Sequence, residues 1–81
     1  MVVRFVVENA GCASCGELVR DALASLGEVE AVDVDEGADI ANVRLASTLP
    51  VAIGDVDRVL GAASVGSGHG YRVRPGSWTR G

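Results

Sequence analysis

The segment over residues 2–27 reads VVRFVVENAGCASCGELVRDALASLG, and a change of hydrophobic period inside it decides the fold. Over residues 2–8 the apolar pattern has a period of two and is rich in β-branched side chains, which predicts a β-strand. Over residues 14–26 the apolar residues recur at steps of three and four, which predicts an amphipathic helix. Gly27 then stands where a left-handed residue would end this helix. The segment therefore predicts a strand, a loop and a helix in succession.

The rest of the chain repeats these two patterns in another order. Apolar residues alternate over 29–35 and again over 41–45, which predicts two strands joined by a hairpin. Pro50 suits the first turn of a second helix. The apolar stripe of that helix consists of Ile53, Val56, Val59, Leu60 and Ala63. After a glycine-rich connection, residues 71–74 predict a short last strand that Pro75 ends.

The order strand, helix, strand, strand, helix, strand predicts an α+β fold, the ferredoxin-like βαββαβ sandwich. In this fold a four-stranded antiparallel sheet carries both helices on one face, and right-handed crossovers give the strand order 4, 1, 3, 2. The end of the first strand then lies beside the start of the last, so residues 9–15 and 66–71 should meet at one edge. We expect residues 1–74 to form the domain and residues 75–81 to form a flexible C-terminal tail.

Composition excludes several classes of function. The chain has 81 residues, enough for one domain, and its seven Arg, no Lys and eleven acidic residues give a net charge of −4. This charge has the wrong sign for binding nucleic acid through counterion release. No apolar run approaches the ~20 residues of a membrane helix, and no signal peptide is visible, so we expect a cytoplasmic protein without membrane insertion. With only three aromatic residues, a deep cavity for an organic ligand is not expected.

The two cysteines, Cys12 and Cys15, are the residues most suited to chemistry. They follow the first strand at the mouth of the first helix, where free backbone N–H groups and the helix dipole stabilise anions. Thiolates bind soft metals, and two thiolates three residues apart can converge on one ion if the backbone between them is a loop. Asn9 and Gly11 both tolerate the left-handed conformations that such a loop needs. A buried, inert pair or an incidental disulfide is the alternative, but we expect both cysteines to lie in an exposed loop.

Residues 7–15, VENAGCASC, resemble the metal loop of heavy-metal-associated domains, the family of copper chaperones, metal-binding domains of P-type ATPases and mercury-binding relatives. The resemblance covers most of residues 3–73. Beyond the loop it rests on Leu23, Leu26, Gly27, Val29, Val32, Val34 and the pair Gly70-Tyr71. It implies that Cys12 and Cys15 hold a metal ion and that Tyr71 lies near the metal loop.

The loop also departs from the family pattern. Asn9 and Ala10 stand where the family usually has Gly-Met, and that methionine normally fills the core beneath the loop. With the smaller Ala10, either Phe5 or Leu18 repacks there or the loop is looser. His69, the only histidine, lies on the segment that the topology brings towards the cysteines, where it is a candidate third ligand, a partner-dependent gate or a solvated loop residue.

Two thiolates without a neighbouring carboxylate favour Cu(I), which accepts low coordination, whereas Zn(II) prefers four ligands. Related zinc-binding domains tend to carry an acidic residue at the position of Gly11. Cd(II) and Hg(II) would bind the same two thiolates, so the sequence ranks the metals without excluding these.

The expected function is therefore that of a Cu(I) chaperone and not of an enzyme. The protein would be a monomer when metal-free and would pass the ion by thiolate exchange, possible partners including a metal-transporting P-type ATPase. One alternative is a dithiol redox protein that uses the same CxxC motif. Another is a regulatory βαββαβ module whose ligand binding does not depend on metal.

Overall fold

The structure is a computed structural model, and it describes residues 1–65, 68 and 70–80. The elements in chain order are β1 (Val2–Glu8), α1 (Cys15–Leu23), β2 (Glu28–Asp35), β3 (Ile40–Ala46), α2 (Ile53–Ser64), β4 (Arg72–Val73) and β5 (Thr79–Arg80). The predicted α+β, ferredoxin-like βαββαβ arrangement is confirmed, with one additional short strand at its end.

The sheet is antiparallel, and its strands lie in the order β2-β3-β1-β4, as predicted from the right-handed crossovers. β1 pairs with β3 along its whole length, from Val2 opposite Ala46 to Glu8 opposite Ile40. On its other edge, β1 pairs with β4 through Val7 and Glu8. β1 is therefore the central strand, and both the metal loop and the start of β4 lie at its carboxyl end.

The core lies between one face of the sheet and the two helices. Its buried members from the sheet are Val3, Phe5, Val7, Ala41, Val43, Leu45 and Val73, and those from the helices are Cys15, Val19, Leu23, Val56 and Leu60. The predicted stripe of α2 is confirmed for Val56 and Leu60, which are fully buried, and Val59 and Ala63 pack against the core. Ile53 differs: it is the first residue of α2 and is 43% exposed.

The first helix ends earlier than predicted. α1 stops at Leu23, its C-cap Ala24 is right-handed, and Gly27 does not adopt a left-handed conformation. The Leu26 amide instead donates to the Leu23 carbonyl oxygen at 2.9 Å and turns the chain towards β2. A Cβ atom on Gly27 would overlap the Ala46 carbonyl oxygen. The glycine is thus required by a close approach to the end of β3 and not by a helix cap.

The second helix begins later than predicted. Its N-cap is Ala52, whose amide donates to the Asp55 carboxylate at 3.1 Å. This hydrogen bond satisfies the amide of the extended N-cap residue and stabilises the helix start, although alanine cannot return a bond from its own side chain. Pro50 consequently lies before the cap and outside the first turn, so the sequence prediction was wrong for this residue.

Residues 77–80 differ from the flexible tail expected over 75–81. The Ser77 hydroxyl accepts a hydrogen bond from the Val6 amide at 3.0 Å, and Trp78 stacks on Phe5 with 5.3 Å between ring centroids. β5 pairs with Val3 and Arg4. Because β4 covers only the carboxyl end of β1, the rest of that edge is free to bind this returning segment.

The outer strand β2 forms the acidic edge of the sheet. Its register against β3 shifts between Val29 and Ala31. The exposed acidic residues of β2 are Glu28, Glu30, Asp33 and Asp35, and Glu30 forms an ion pair with Arg44 at 2.8 Å. Bulges and charges of this kind are common on the edges of natural sheets.

Neither helix in the described part of the chain has the length and apolar character that crossing a lipid bilayer requires.

Two glycine substitutions test whether Gly27 is fixed by the packing. Gly27→Ala should lower the free energy of unfolding by about 1–3 kcal/mol, because its Cβ forces the end of β3 to move. The matched control is Gly61→Ala within α2, where a new Cβ meets nothing within 4 Å. That control should raise the free energy by about 0.5–1 kcal/mol through helix propensity. Urea unfolding followed by Trp78 fluorescence measures both, and equal effects would contradict the packing explanation.

Candidate metal centre

The two cysteines lie at the junction between the loop that follows β1 and the first turn of α1. Cys12 is partly exposed in the loop, and the Cys15 amide donates to the Cys12 carbonyl oxygen at 3.1 Å. Cys15 is the first residue of α1 and is fully buried. The sequence analysis placed both cysteines in an exposed loop, which is wrong for Cys15. Cys15, Val19 and Leu23 are spaced by four residues and form the buried side of α1.

In the structure a disulfide joins Cys12 to Cys15, whose Cα atoms are 5.1 Å apart. The structure therefore shows the site in its oxidised form. Addition of two electrons and two protons would convert the disulfide to two thiols, with both sulfur atoms still held at the mouth of α1. The first turn of α1 favours negative charge through its dipole, so thiolates formed here would be stabilised.

Tyr71 covers the buried sulfur. Its hydroxyl lies 3.3 Å from Cys15 Sγ in donor geometry, and the residue is only 4% exposed. The Tyr71 amide donates to the Ser64 hydroxyl at 2.9 Å, which connects this residue to the last turn of α2. The expected position of Tyr71 near the metal loop is confirmed.

The loop is attached on one side to the segment before β4. Asn9 is left-handed, with φ of 63°, and its side-chain amide donates to the Gly70 carbonyl oxygen at 2.9 Å. Tolerance of this conformation by Asn9 was predicted. For residues 70 and 71 the predicted meeting with the metal loop is also confirmed. His69 lies outside the described residues, so its role as a third ligand stays a prediction.

On the other side the loop contacts the β2–β3 hairpin through Asp39, a residue that the sequence analysis missed. The Asp39 carbonyl oxygen accepts a hydrogen bond from the Ala10 amide at 3.2 Å, and its carboxylate accepts one from the Gly11 amide at 2.9 Å. Asp39 is left-handed, with φ of 56°. The sequence offers one signal for it, since Asp is among the few residues that adopt this conformation in a turn.

Gly11 is explained by this contact and not by a left-handed backbone. Gly11 is absent from the positive-φ residues of the described chain. A Cβ atom at this position would lie 2.5 Å from Asp39 Cα and 2.8 Å from Asp39 Oδ1. Only glycine allows the loop to come this close to the hairpin.

Ala10 fills the place of the family's methionine without leaving the loop open. The residue is fully buried, and its amide is bonded to Asp39. The two larger residues considered for this space are placed differently: Phe5 stacks on Trp78, and Leu18 is only partly buried. The Ala10 methyl group is buried beneath the loop, and the hydrogen bond from the Ala10 amide to the Asp39 carbonyl oxygen holds the loop against the core.

The charged residues around the loop carry both signs. Glu17 is exposed in the first turn of α1, and Glu8 at the end of β1 forms ion pairs with Arg72 at 3.0 Å and Arg74 at 3.7 Å. Among residues 1–65, 68 and 70–80, no three His, Cys, Asp or Glu side chains form a cluster that could hold a metal ion. Within that part of the chain, the ligands available to a soft metal are the two sulfur atoms.

Residues 4–64 match the family model of the heavy-metal-associated domain, which is about three quarters of the chain. A search of curated proteins finds no significant match.

Solved structures share this fold at low sequence identity. Oxidised MerP from Ralstonia metallidurans CH34 aligns with a TM-score of 0.60 and 17% identity, covering 91% of this chain and 99% of that one. A protein from work on crosstalk between Cu(I) and Zn(II) homeostasis aligns with a TM-score of 0.56, 19% identity and the same coverage. The mercury-bound form of MerP, a periplasmic protein of a bacterial mercury detoxification system, aligns at 0.52 with 22% identity and the same coverage.

Substitutions of Asn9 test how the loop is attached to the segment before β4. Asn9→Ala should lower the free energy of unfolding by about 1–2 kcal/mol, because it removes a hydrogen bond and forces alanine into a left-handed conformation. Asn9→Gly keeps the left-handed backbone conformation and should lower the free energy of unfolding by less than Asn9→Ala does. Urea unfolding of the oxidised protein compares the two. An alanine variant as stable as the glycine variant would show that the left-handed backbone of Asn9 does not matter.

Proposed function

The chain belongs to the heavy-metal-associated domain family, and from this premise we propose that it binds a soft metal ion, first of all Cu(I), and transfers it to a partner. Cys12 and Cys15 are the proposed ligands. The observation that carries the proposal is their placement: both sulfur atoms lie at one helix N-terminus, on backbones 5.1 Å apart at Cα. Two thiolates from this position can converge on one ion.

The preference for Cu(I) is supported by the small number of ligands. Among the described residues, no third His, Cys, Asp or Glu side chain forms a cluster with the two cysteines, and Cu(I) accepts a linear or trigonal site of sulfur atoms. Zn(II) needs about four ligands and would have to take the others from solvent or from a partner. Hg(II) and Cd(II) are soft ions that the same two thiolates would bind.

Binding begins with reduction of the disulfide. Two thiol molecules or one dithiol supply two electrons and two protons and are oxidised to a disulfide, while the bond between Cys12 and Cys15 breaks and two thiols form. Each thiol then releases its proton as it becomes a metal ligand, so binding should weaken as the pH falls. This step suits a cytoplasmic location, where thiols are kept reduced.

Transfer would start at Cys12. Cys12 is partly exposed, whereas Cys15 is fully buried beneath the Tyr71 hydroxyl. An incoming thiolate can therefore reach the metal from the Cys12 side and displace that ligand first. A metal-transporting P-type ATPase is a suitable partner for such an exchange, with the chaperone acting as a monomer.

The disulfide supports a second candidate, a dithiol redox protein. In that case Cys12 would be the accessible thiol that attacks a substrate disulfide. The two functions differ in what the reduced protein does. A redox protein passes electrons to a disulfide substrate over many cycles, whereas a carrier retains the metal ion against a competing ligand.

A competition titration of the reduced protein with Cu(I) tests the metal proposal. We expect one ion bound per chain. The double variant Cys12→Ser/Cys15→Ser should bind Cu(I) more than about 100-fold more weakly. Loss of a residue that only hydrogen-bonds a metal ligand costs about 10- to 100-fold, and loss of both ligands should cost more. Ser25→Ala, which removes a hydroxyl just beyond the C-terminal end of α1, is the matched control and should bind as the wild type does. Binding that is indifferent to the cysteines, together with catalytic disulfide reduction, would favour the redox candidate.

His69 is proposed as a third ligand that supports the two thiolates. If it binds the ion, His69→Ala should weaken Cu(I) binding by at least about tenfold, a change of ~1.4 kcal/mol. X-ray absorption of the loaded wild type should then show two sulfur atoms and one nitrogen. Unchanged affinity and a two-sulfur spectrum would remove His69 from the site.

A further inference from the structure

We infer that Asp39 is a positioning residue for the metal site, holding the Gly11–Cys12 backbone where Cys12 can share an ion with Cys15. This inference rests on the proposed metal-binding function. It starts from a contact between distant parts of the chain: the Asp39 carboxylate accepts a hydrogen bond at 2.9 Å from the amide of Gly11, the residue that directly precedes Cys12.

The contact is part of a larger attachment. The last paired residues of β1 and β3 are Glu8 and Ile40, and Asp39 directly precedes that pair. The Asp39 carbonyl oxygen accepts a hydrogen bond from the Ala10 amide at 3.2 Å. Hydrogen bonding between the chain after β1 and the chain before β3 therefore continues past the paired strands. Ala10 and Gly11 are buried, and buried amides need such acceptors.

The geometry of Asp39 is specific to this task. A left-handed backbone is unfavourable for most residues, yet Asp39 adopts φ of 56°, which presents both its carbonyl oxygen and its carboxylate to the loop. Gly11 is the complement, because any Cβ would collide with Asp39. A carboxylate acceptor also makes a stronger hydrogen bond than a neutral one.

The attachment matters most in the reduced protein. The disulfide ties Cys12 to Cys15 covalently while the site is oxidised. Reduction removes that tie, and the partly exposed Cys12 is then positioned by the hydrogen bond from the Cys15 amide to its carbonyl oxygen and by its neighbours in the loop. In the described chain, two hydrogen bonds hold these neighbours. On one side the Asn9 side chain donates to the Gly70 carbonyl oxygen, and on the other the Gly11 amide donates to the Asp39 carboxylate. A preorganised loop binds more tightly because it loses less freedom when the ion arrives.

Two substitutions at this position separate the hydrogen bond from the charge. Asp39→Gly keeps the left-handed backbone and removes the side chain, so it should weaken Cu(I) binding by the reduced protein by about 10- to 100-fold, as loss of an outer partner does. Asp39→Asn keeps an oxygen acceptor and tolerates the same conformation, so it should restore affinity to within about threefold of the wild type.

Asp33→Asn serves as the matched control for the loss of one negative charge. Asp33 is exposed on β2 and pairs with Asn42, away from the loop, so this variant should bind Cu(I) as the wild type does. Unchanged affinity in Asp39→Gly would overturn the inference. An equal loss in Asp39→Asn and Asp39→Gly would also overturn it, because the charge and not the bond would then set the affinity.

Hydrogen exchange of the Gly11 amide separates this inference from the proposed function, since it needs no metal. In the reduced, metal-free protein this amide should be protected in the wild type and in Asp39→Asn. It should exchange at least about tenfold faster in Asp39→Gly, equal to ~1.4 kcal/mol of lost protection. If the protection follows this pattern but no variant binds Cu(I), the proposed function fails and the attachment stands. An unprotected Gly11 amide in the wild type would overturn the attachment itself.

Discussion

The backbone pairing of β1 is the interaction on which the rest of the structure depends. β3 occupies one edge of β1 along its whole length, and β4 and β5 share the other. Because β1 and β3 are antiparallel, the β2–β3 hairpin comes to lie beside the loop that leaves β1. Pairing with β4 brings Tyr71 to the same end. The surroundings of Cys12 and Cys15 are thus assembled from three distant segments by the hydrogen bonds of one strand.

The order of elements could be predicted because it depends on hydrophobic period, which is a local property. The bounds of β1 and the burial of Val56 and Leu60 follow from it, and the right-handed crossovers then give the strand order. The errors occur where a residue was assigned the role that its type usually has in local structure. Gly27 suggests a helix cap but is required by the close approach of the Ala46 carbonyl oxygen, and Pro50 lies before Ala52, the N-cap residue of α2. Thr79 and Arg80 join the sheet, and Trp78 stacks on Phe5, because β4 leaves part of the edge of β1 unpaired, which the pattern of residues 75–81 does not reveal.

The candidate site likewise contains residues that could be predicted from the sequence and residues that could not. The cysteine pair and the nearby tyrosine could be found from spacing and from resemblance to a family. The burial of Cys15 could have been read from its spacing to Val19 and Leu23, but its position in a CxxC motif suggested an exposed loop. The role of Asp39 could not be predicted from the sequence, because its contact with Gly11 spans 28 positions in the chain and depends on the register between β1 and β3. His69 remains a predicted ligand.

The acidic edge strand β2 has a consequence for how two molecules can meet. A symmetric pair joined along this edge would align two copies of β2 in antiparallel register, setting carboxylates against carboxylates. The shift at Val29 and Ala31 would interrupt the continuous ladder that such a joined sheet requires. Propagation into fibrils is opposed by the same two features. The charges and the register shift of β2 therefore disfavour self-association through this edge of the sheet.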